Sequence, residues 1–181
     1  MFANSRQFAV GFSALLVGLM EYVFSRPADS TYLGKMIGAL AGDFPFRIEM
    51  FGIFGGILPE YVHAFSFALI TMAIFPRAVK KVRGAICLFW LVVELFFEIG
   101  QYFGQQIAGY IPKAFDHIFM LDNLKSYFVN GTYDHLDVLA ICLGITAAYI
   151  TGELTTQGGK DNDSLISMQR ESQDAALETG T

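Results

Sequence analysis

The sequence predicts an all-α integral membrane protein, a bundle of four transmembrane helices with both termini in the cytoplasm. Three observations predict this fold class: 54% of the 181 residues are hydrophobic, only 16% are charged, and the apolar residues are concentrated in long runs. A soluble domain typically has about 45–50% apolar and about 25% charged residues. A helix needs roughly 20 residues to cross a bilayer, and four apolar runs of this chain approach that length.

The four apolar runs are the predicted membrane spans. They are, in chain order, Gln7–Phe24, Ile57–Phe75, Gly84–Phe103 and Tyr133–Gly152. We expect each of them to be helical, because hydrocarbon offers the backbone no other hydrogen-bond partners. The first run could be a signal peptide, since it is N-terminal and follows Arg6, but it carries Glu21 and lacks a small-x-small cleavage site. We therefore interpret it as a retained helix.

Basic residues predict the orientation. The short link Pro76–Arg83, between the second and third spans, contains Arg77, Lys80, Lys81 and Arg83. The two longer loops, Ser25–Gly56 and Gly104–Thr132, contain few basic residues for their length. The positive-inside rule then places the short link and both termini in the cytoplasm and both longer loops outside.

The loops and the C-terminal segment differ in composition. Aromatic residues with Gly and Pro breaks fill Phe44–Gly56 and Ile107–Phe128, which predicts short segments at the membrane surface or re-entering it. We expect residues 1–154 to form the transmembrane domain and residues 155–181 to form a polar tail. The tail is rich in Ser, Gly, Gln and Asp, a composition typical of disorder.

Charge and cysteine usage exclude some partners and bonds. The formal net charge of −5 argues against a nucleic-acid partner. Cys87 and Cys142 both lie inside apolar runs, so we interpret them as small buried hydrophobic residues rather than a disulfide.

Three polar clusters interrupt the apolar runs. They are Glu60 with His63, Glu94 with Glu98 and Gln101, and Asp134 with Asp137. The predicted topology places all three toward the outer face of the membrane, where Glu21 also lies. An ionisable group inside a span is costly unless it is paired, hydrated or functional. The clusters are therefore the predicted functional site.

Several of these residues also have a structural interpretation. Glu60 follows Pro59 at a helix start, and Asp134 follows a turn, so both suit a helix N-terminus. His63 can equally be a hydrogen-bonded residue of a helix interface. We expect His117 and His135 to be exposed to solvent or the interface, and Trp90 to pack or face lipid. Gly144, seven residues after Asp137, predicts a close approach of two helices.

The same residues predict two kinds of chemistry. His63, Glu98 and Asp137 can coordinate a divalent metal and leave a position for water. Without a metal they can relay protons or act as a general acid–base pair, because packed carboxylates separate their pKa values. In an enzyme Glu98 would be the base and Gln101 would orient the ligand. The other predicted ligand-binding residues are Glu60, Glu94 and Asp134.

Three segments resemble the VanZ-like membrane family. They are Leu58–Thr71 (LPEYVHAFSFALIT), Glu94–Gln101 (ELFFEIGQ) and Gly131–Gly144 (GTYDHLDVLAICLG). The family shows a carboxylate three residues before a His, then Glu-x-x-Gln, then Asp-x-x-x-Asn-x-x-Gly. These positions fall on Glu60 and His63, Glu98 and Gln101, and Asp137 and Gly144, with Ile141 in place of the Asn.

The resemblance covers about residues 59–144 and implies a bacterial protein acting at the outer face of the cytoplasmic membrane. Relatives are linked to resistance against teicoplanin-type glycopeptides. We therefore expect a multi-pass inner-membrane protein whose outward polar site binds a lipid headgroup or a lipid-linked cell-envelope precursor. Two alternatives stay open: a non-catalytic accessory subunit of a larger membrane complex, and a proton-coupled carrier.

Overall fold

The computed structural model of the chain describes residues 4–25, 51–76, 79–118 and 121–178. Every regular element within these ranges is helical, which confirms the all-α prediction for them. The α-helices are α1 (Ser5–Ser25), α2 (Leu58–Ile74), α3 (Lys80–Tyr102), α4 (Gly104–Tyr110), α5 (Leu124–Asn130) and α6 (His135–Glu178). Two short 3-10 helices lie at Gly52–Phe54 and Lys113–His117. Most of the predicted loop segment Phe44–Gly56 lies outside the described residues.

The long helices follow the apolar runs closely. Helices α1, α2 and α3 begin and end within about four residues of the first three predicted spans. Helix α6 begins near the fourth span but continues to Glu178, through the segment whose composition predicts disorder. Within the described residues, His135–Thr156 is the one helical stretch that is both long and apolar enough to cross a membrane. Helix α2 is apolar but shorter.

Helix α2 is the central helix and packs against α1, α3 and α6. It runs antiparallel to α1, because the Asn4 N–H donates to the Ala73 carbonyl (2.8 Å) while Gly18 lies against Val62. It runs parallel to α6. The core between the helices consists of Ala64, Phe65, Ala68, Leu69, Met72, Cys87, Ile141, Ile145 and Ala148.

A glycine sets the separation of α2 and α6. A Cβ added at Gly144 would lie 2.5 Å from the Tyr61 carbonyl oxygen and 3.2 Å from the Ala64 Cβ. Only a residue without a side chain allows the two backbones to approach this closely. The predicted close approach at Gly144 is therefore confirmed.

Polar contacts join three helices at one end of the bundle, which we call the basic end and define by Arg83 and Lys80. The Arg83 Nη2 lies 2.6 Å from the Glu153 Oε1, and the Lys80 Nζ lies 4.0 Å from the other oxygen of that carboxylate. On α1, the buried Gln7 donates from Nε2 to the Gly152 carbonyl (3.0 Å) and to the Thr155 hydroxyl (2.8 Å). These bonds tie the starts of α1 and α3 to the same two turns of α6.

The two cysteines are free thiols, as predicted. Cys87 is buried in the core, but Cys142 is exposed. The prediction that both are buried is thus wrong for Cys142, because position 142 falls on the face of α6 that points away from α2 and α3.

Candidate functional site

The opposite end of the bundle, which we call the acidic end, is defined by Glu60, Glu98 and Asp134. Its central group is the Glu98 carboxylate on α3, which is only 4% exposed. The backbone N–H of Asp134 donates to the Glu98 Oε1 (2.8 Å), and the Gln101 Nε2 donates to the Glu98 Oε2 at a longer 3.4 Å. Both carboxylate oxygens are therefore engaged, one of them by the residue that precedes α6.

Gln101 connects Glu98 to the surrounding segments. The two residues are three apart on α3 and share one helical face. The Gln101 Nε2 also donates to the Tyr127 hydroxyl (2.8 Å), and the Gln101 Oε1 would lie 2.5 Å from a Cβ added at Gly131. The absence of a side chain at Gly131 thus lets the linker into α6 cross directly over the Gln101 carboxamide.

Asp134 and Glu60 occupy helix starts, as their structural interpretation predicts. The Asp134 Oδ1 accepts a hydrogen bond from the Leu136 N–H (2.9 Å) and caps α6. Glu60 lies in the first turn of α2, directly after Pro59. A carboxylate at either position interacts favourably with the exposed N–H groups of a helix N-terminus.

The register between α2 and α3 places the first two polar clusters at one level. The Trp90 Nε1 donates to the Thr71 Oγ1 (3.0 Å), which aligns these antiparallel helices. His63 lies eight residues before Thr71, and Glu98 lies eight residues after Trp90. At about 1.5 Å per residue, both residues therefore lie about 12 Å from the Trp90–Thr71 hydrogen bond, toward the acidic end. Glu60 lies three residues before His63 on α2, and Gln101 lies three residues after Glu98 on α3. Because the helices are antiparallel, Glu60 and Gln101 also lie at the same height in the bundle.

Tyr127 on α5 is a member of the site that sequence reasoning missed. Partial burial raises the pKa of its hydroxyl, the hydrogen bond from Gln101 lowers it, and the charges of Glu98, Glu60 and Glu94 raise it again, to about 12. Three carboxylates from two helices thus lie close enough to act on this one hydroxyl. The only hint in the sequence is the abundance of aromatic residues in Ile107–Phe128.

Aromatic packing holds Tyr127 in place. Phe128, the next residue, is 2% exposed and stacks on Phe97 of α3 with ring centroids 5.9 Å apart. The Tyr127 ring meets Phe97 and Phe128 edge to face, at 5.8 Å and 5.4 Å. The position of the Tyr127 ring is therefore set by its neighbouring rings as well as by its hydroxyl.

No group of three His, Cys, Asp or Glu side chains able to hold a metal ion occurs in the described part of the chain, and His63, Glu98 and Asp137 do not form one. His63 is exposed, and its ring stacks on Phe67 of its own helix at 5.6 Å. Helical spacing determines the position of His63 along the axis of α2, whereas the stacking on Phe67 is a matter of side-chain packing.

Three further acidic residues, Glu94, Asp137 and Glu21, lie toward the acidic end of the bundle. Glu94 is half-buried one turn from Glu98 on α3, and Asp137 is half-buried in the first turn of α6. Glu21 on α1 is 3% exposed and its carboxylate lies against Gly55 at the acidic end. His117 and His135 are exposed, as predicted.

An apolar groove of about 440 Å³ lies on α3 but is not part of the acidic end. It is lined by Val92, Leu95, Phe96, Ile99, Gly100, Phe103 and Ile107. At about 100° per residue, the five lining residues that belong to α3 occupy its face turned away from Glu98 and Gln101.

The acidic end offers a ligand several hydrogen-bond acceptors, the carboxylates, together with the hydroxyl of Tyr127. Comparisons with protein-family models, with curated proteins and with solved structures found no match to this chain. The chemistry inferred for the acidic end therefore rests on its geometry.

Proposed function

We propose that the protein is a multi-pass protein of a bacterial inner membrane, with α1, α2, α3 and the first half of α6 as its four spans. The support is the apolar exterior of the bundle. Large hydrophobic side chains are 46–64% exposed on the outer faces of three of these helices, for example Phe12, Met20, Leu88, Phe96, Leu139 and Leu154. Apolar surface as extensive as this is unfavourable in water and is stable against lipid.

The lengths of the helices and the distribution of charge agree with this proposal. Helices α1, α2 and α3 have 21, 17 and 23 residues. At about 1.5 Å per residue they span roughly 25–35 Å, near the thickness of the hydrocarbon layer. The basic end carries Lys80, Lys81 and Arg83, so the positive-inside rule places it, with both termini, in the cytoplasm. The acidic end then faces outside, with α4 and α5 beside it.

We infer that the acidic end binds the polar headgroup of a lipid or of a lipid-linked cell-envelope precursor, as in a VanZ-like protein. The observation that carries this inference is the buried Glu98 carboxylate, bonded to Gln101 and to the backbone of Asp134 beside three other acidic side chains. Polar groups from three segments gathered at one end of an apolar bundle are costly unless they serve a function. Glu60, Glu94 and Asp134 line the site, and His63 and Asp137 are the candidates for proton transfer.

Lipid retention tests this function. The full-length protein, purified in mild detergent, is analysed by native mass spectrometry for lipids that remain bound. We expect the wild type to retain a polar lipid and Glu98→Ala to lose it. The control variant is Leu139→Ala, which removes an exposed apolar side chain on α6. Equal retention of the lipid by the wild type and Glu98→Ala would contradict the headgroup site.

The VanZ-like part of the proposal has its own test, teicoplanin susceptibility. Expression of the wild type in a sensitive Gram-positive host should raise the inhibitory concentration of teicoplanin. Asp137→Asn should abolish that increase at an equal amount of protein in the membrane. If expression of the wild type does not change the susceptibility to teicoplanin, the VanZ-like role is contradicted. The headgroup site is unaffected by that result, because the lipid-retention experiment tests it separately.

One observation favours a second candidate, an accessory subunit of a larger complex. Helix α6 continues to Glu178, well beyond the apolar stretch that ends at Thr156. An isolated polar helix is marginally stable in water, so a partner packed on residues 157–178 would account for its helical form. Removal of residues 157–181 should then release a protein that otherwise co-purifies.

The third candidate, a proton-coupled carrier, would use Glu94 and would require dimerisation, because four helices leave little room for alternating access.

A further inference from the structure

The Tyr127 hydroxyl has an O–H donor that is not used within the described part of the protein. Its oxygen accepts the hydrogen bond from the Gln101 Nε2 (2.8 Å), and Gln101 is its only hydrogen-bond partner among the described residues. A phenol offers one O–H donor as well as its acceptor lone pairs. Because the bond from Gln101 uses a lone pair, the O–H is left to donate elsewhere. Tyr127 is 40% exposed, so a ligand can reach it.

The surroundings of Tyr127 favour the protonated form of its hydroxyl. The pKa of the Tyr127 hydroxyl, raised to about 12 by partial burial and by the nearby carboxylates, leaves it protonated at neutral pH. The carboxylates themselves accept hydrogen bonds when ionised and cannot donate them. The Tyr127 hydroxyl therefore gives the acidic end a hydrogen-bond donor next to several acceptors.

We propose that Tyr127 is a ligand-binding residue that donates its O–H to a hydroxyl oxygen of a neutral, polyhydroxylated headgroup such as a sugar. The proposal rests on the headgroup site proposed above and names its ligand class. A hydroxyl can accept from Tyr127 and at the same time donate to a neighbouring carboxylate.

A ligand at this site needs an acceptor for the Tyr127 O–H and a donor for a neighbouring carboxylate. Ammonium and phosphate groups each meet only one of these two requirements. An ammonium group has donors alone, so it would leave the Tyr127 O–H without an acceptor. A phosphate has acceptors, but it would bring negative charge next to Glu60, Glu94 and Glu98, which is repulsive. A hydroxyl group is the one that meets both requirements without added charge.

The test measures lipid binding by the full-length protein and two matched variants. Tyr127→Phe removes the hydroxyl and keeps the ring that packs on Phe97 and Phe128. Tyr110→Phe is the control, because Tyr110 is 87% exposed. Each protein is titrated by native mass spectrometry with monoglucosyl diacylglycerol and with phosphatidylglycerol of the same acyl chains. We expect the wild type to prefer the glycolipid, and Tyr127→Phe to bind it about tenfold more weakly, the effect of one hydrogen bond.

The outcomes separate this proposal from the headgroup site. Glycolipid binding that is equal in the wild type and Tyr127→Phe, or equally weakened in Tyr110→Phe, overturns the role of Tyr127 and leaves the headgroup site standing. Preference of the wild type for phosphatidylglycerol overturns the neutral ligand class. Binding of neither lipid overturns both proposals.

A second variant keeps the proposal testable if Tyr127→Phe does not fold. Incorporation of 3,5-difluorotyrosine at position 127 retains the ring and the bond to Gln101 but lowers the pKa of the hydroxyl. Glycolipid binding should then fall as the pH rises through that lowered pKa, because the donor is lost. Binding that stays constant over the same pH range as in the wild type would overturn the proposal.

Discussion

The backbone N–H of Asp134 donates a 2.8 Å hydrogen bond to the Glu98 Oε1, across 36 residues of sequence. This bond fixes the start of α6 against the end of α3, and with it the position of the linker that crosses Gln101. Glu98 therefore holds the site together as well as contributing a carboxylate to it.

Glu98 should be more important for stability as a hydrogen-bond acceptor than as a charge. Glu98→Ala leaves the Asp134 N–H and one N–H of Gln101 without their partner, which should lower the free energy of unfolding by about 1–3 kcal/mol. Glu98→Gln retains an acceptor oxygen and should lose less. Denaturant unfolding of both variants in the same detergent measures the difference, and equal stability of the two variants would contradict the assigned role of the acceptor.

Gly144 should tolerate no side chain. In Gly144→Ala the new methyl group would meet the Tyr61 carbonyl, so the variant should lose roughly 1–3 kcal/mol through overpacking. Gly84→Ala is the matched control on α3, since nothing lies within 4 Å of a Cβ added there. The control should gain about 0.4–1 kcal/mol, because alanine restricts the unfolded chain. Thermal unfolding that ranks the two variants in the reverse order would contradict the close contact.

The pair of Arg83 and Glu153 should contribute more to stability than the pair of Lys125 and Asp116. The first pair is nearly enclosed, with side chains 9% and 16% exposed, whereas the second is 34% and 45% exposed. Arg83→Ala leaves the Glu153 carboxylate with its longer contact to Lys80 (4.0 Å) and should cost about 1–3 kcal/mol. Lys125→Ala should cost about 0–1 kcal/mol. Chemical denaturation compares the two, and equal losses would show that enclosure does not strengthen the first pair.

Asp134 should act on stability through its cap. Asp134→Ala removes the acceptor for the Leu136 N–H and should destabilise the protein by about 1 kcal/mol. Asp134→Asn keeps a capping oxygen and should stay close to the wild type. The bond to Glu98 uses the backbone of Asp134, so it should survive both substitutions. Hydrogen exchange of the first turn of α6 should rise in Asp134→Ala alone; a similar rise in Asp134→Asn would point to the charge instead.

Features with a regular spacing could be predicted from the sequence. Apolar runs and their polar flanks predicted α1, α2 and α3 to within a few residues, and the position of Gly144 predicted the close approach of α6 to α2. The cap at Asp134 was recognisable because it follows a turn directly before an apolar run. These features depend on residues close together along the chain, which is why composition and spacing reveal them.

The partners of the acidic side chains were decided by the tertiary structure. A residue number determines the level along a helix at about 1.5 Å per residue, so Glu98 and His63 could be placed at similar depth from the sequence alone. It does not determine which way a side chain points across the bundle, and only the folded structure shows that the His63 ring stacks on Phe67. Nor does it show how a loop returns to the bundle. Tyr127 reaches Gln101 because Phe128 packs on α3, and that packing exists only in the folded chain.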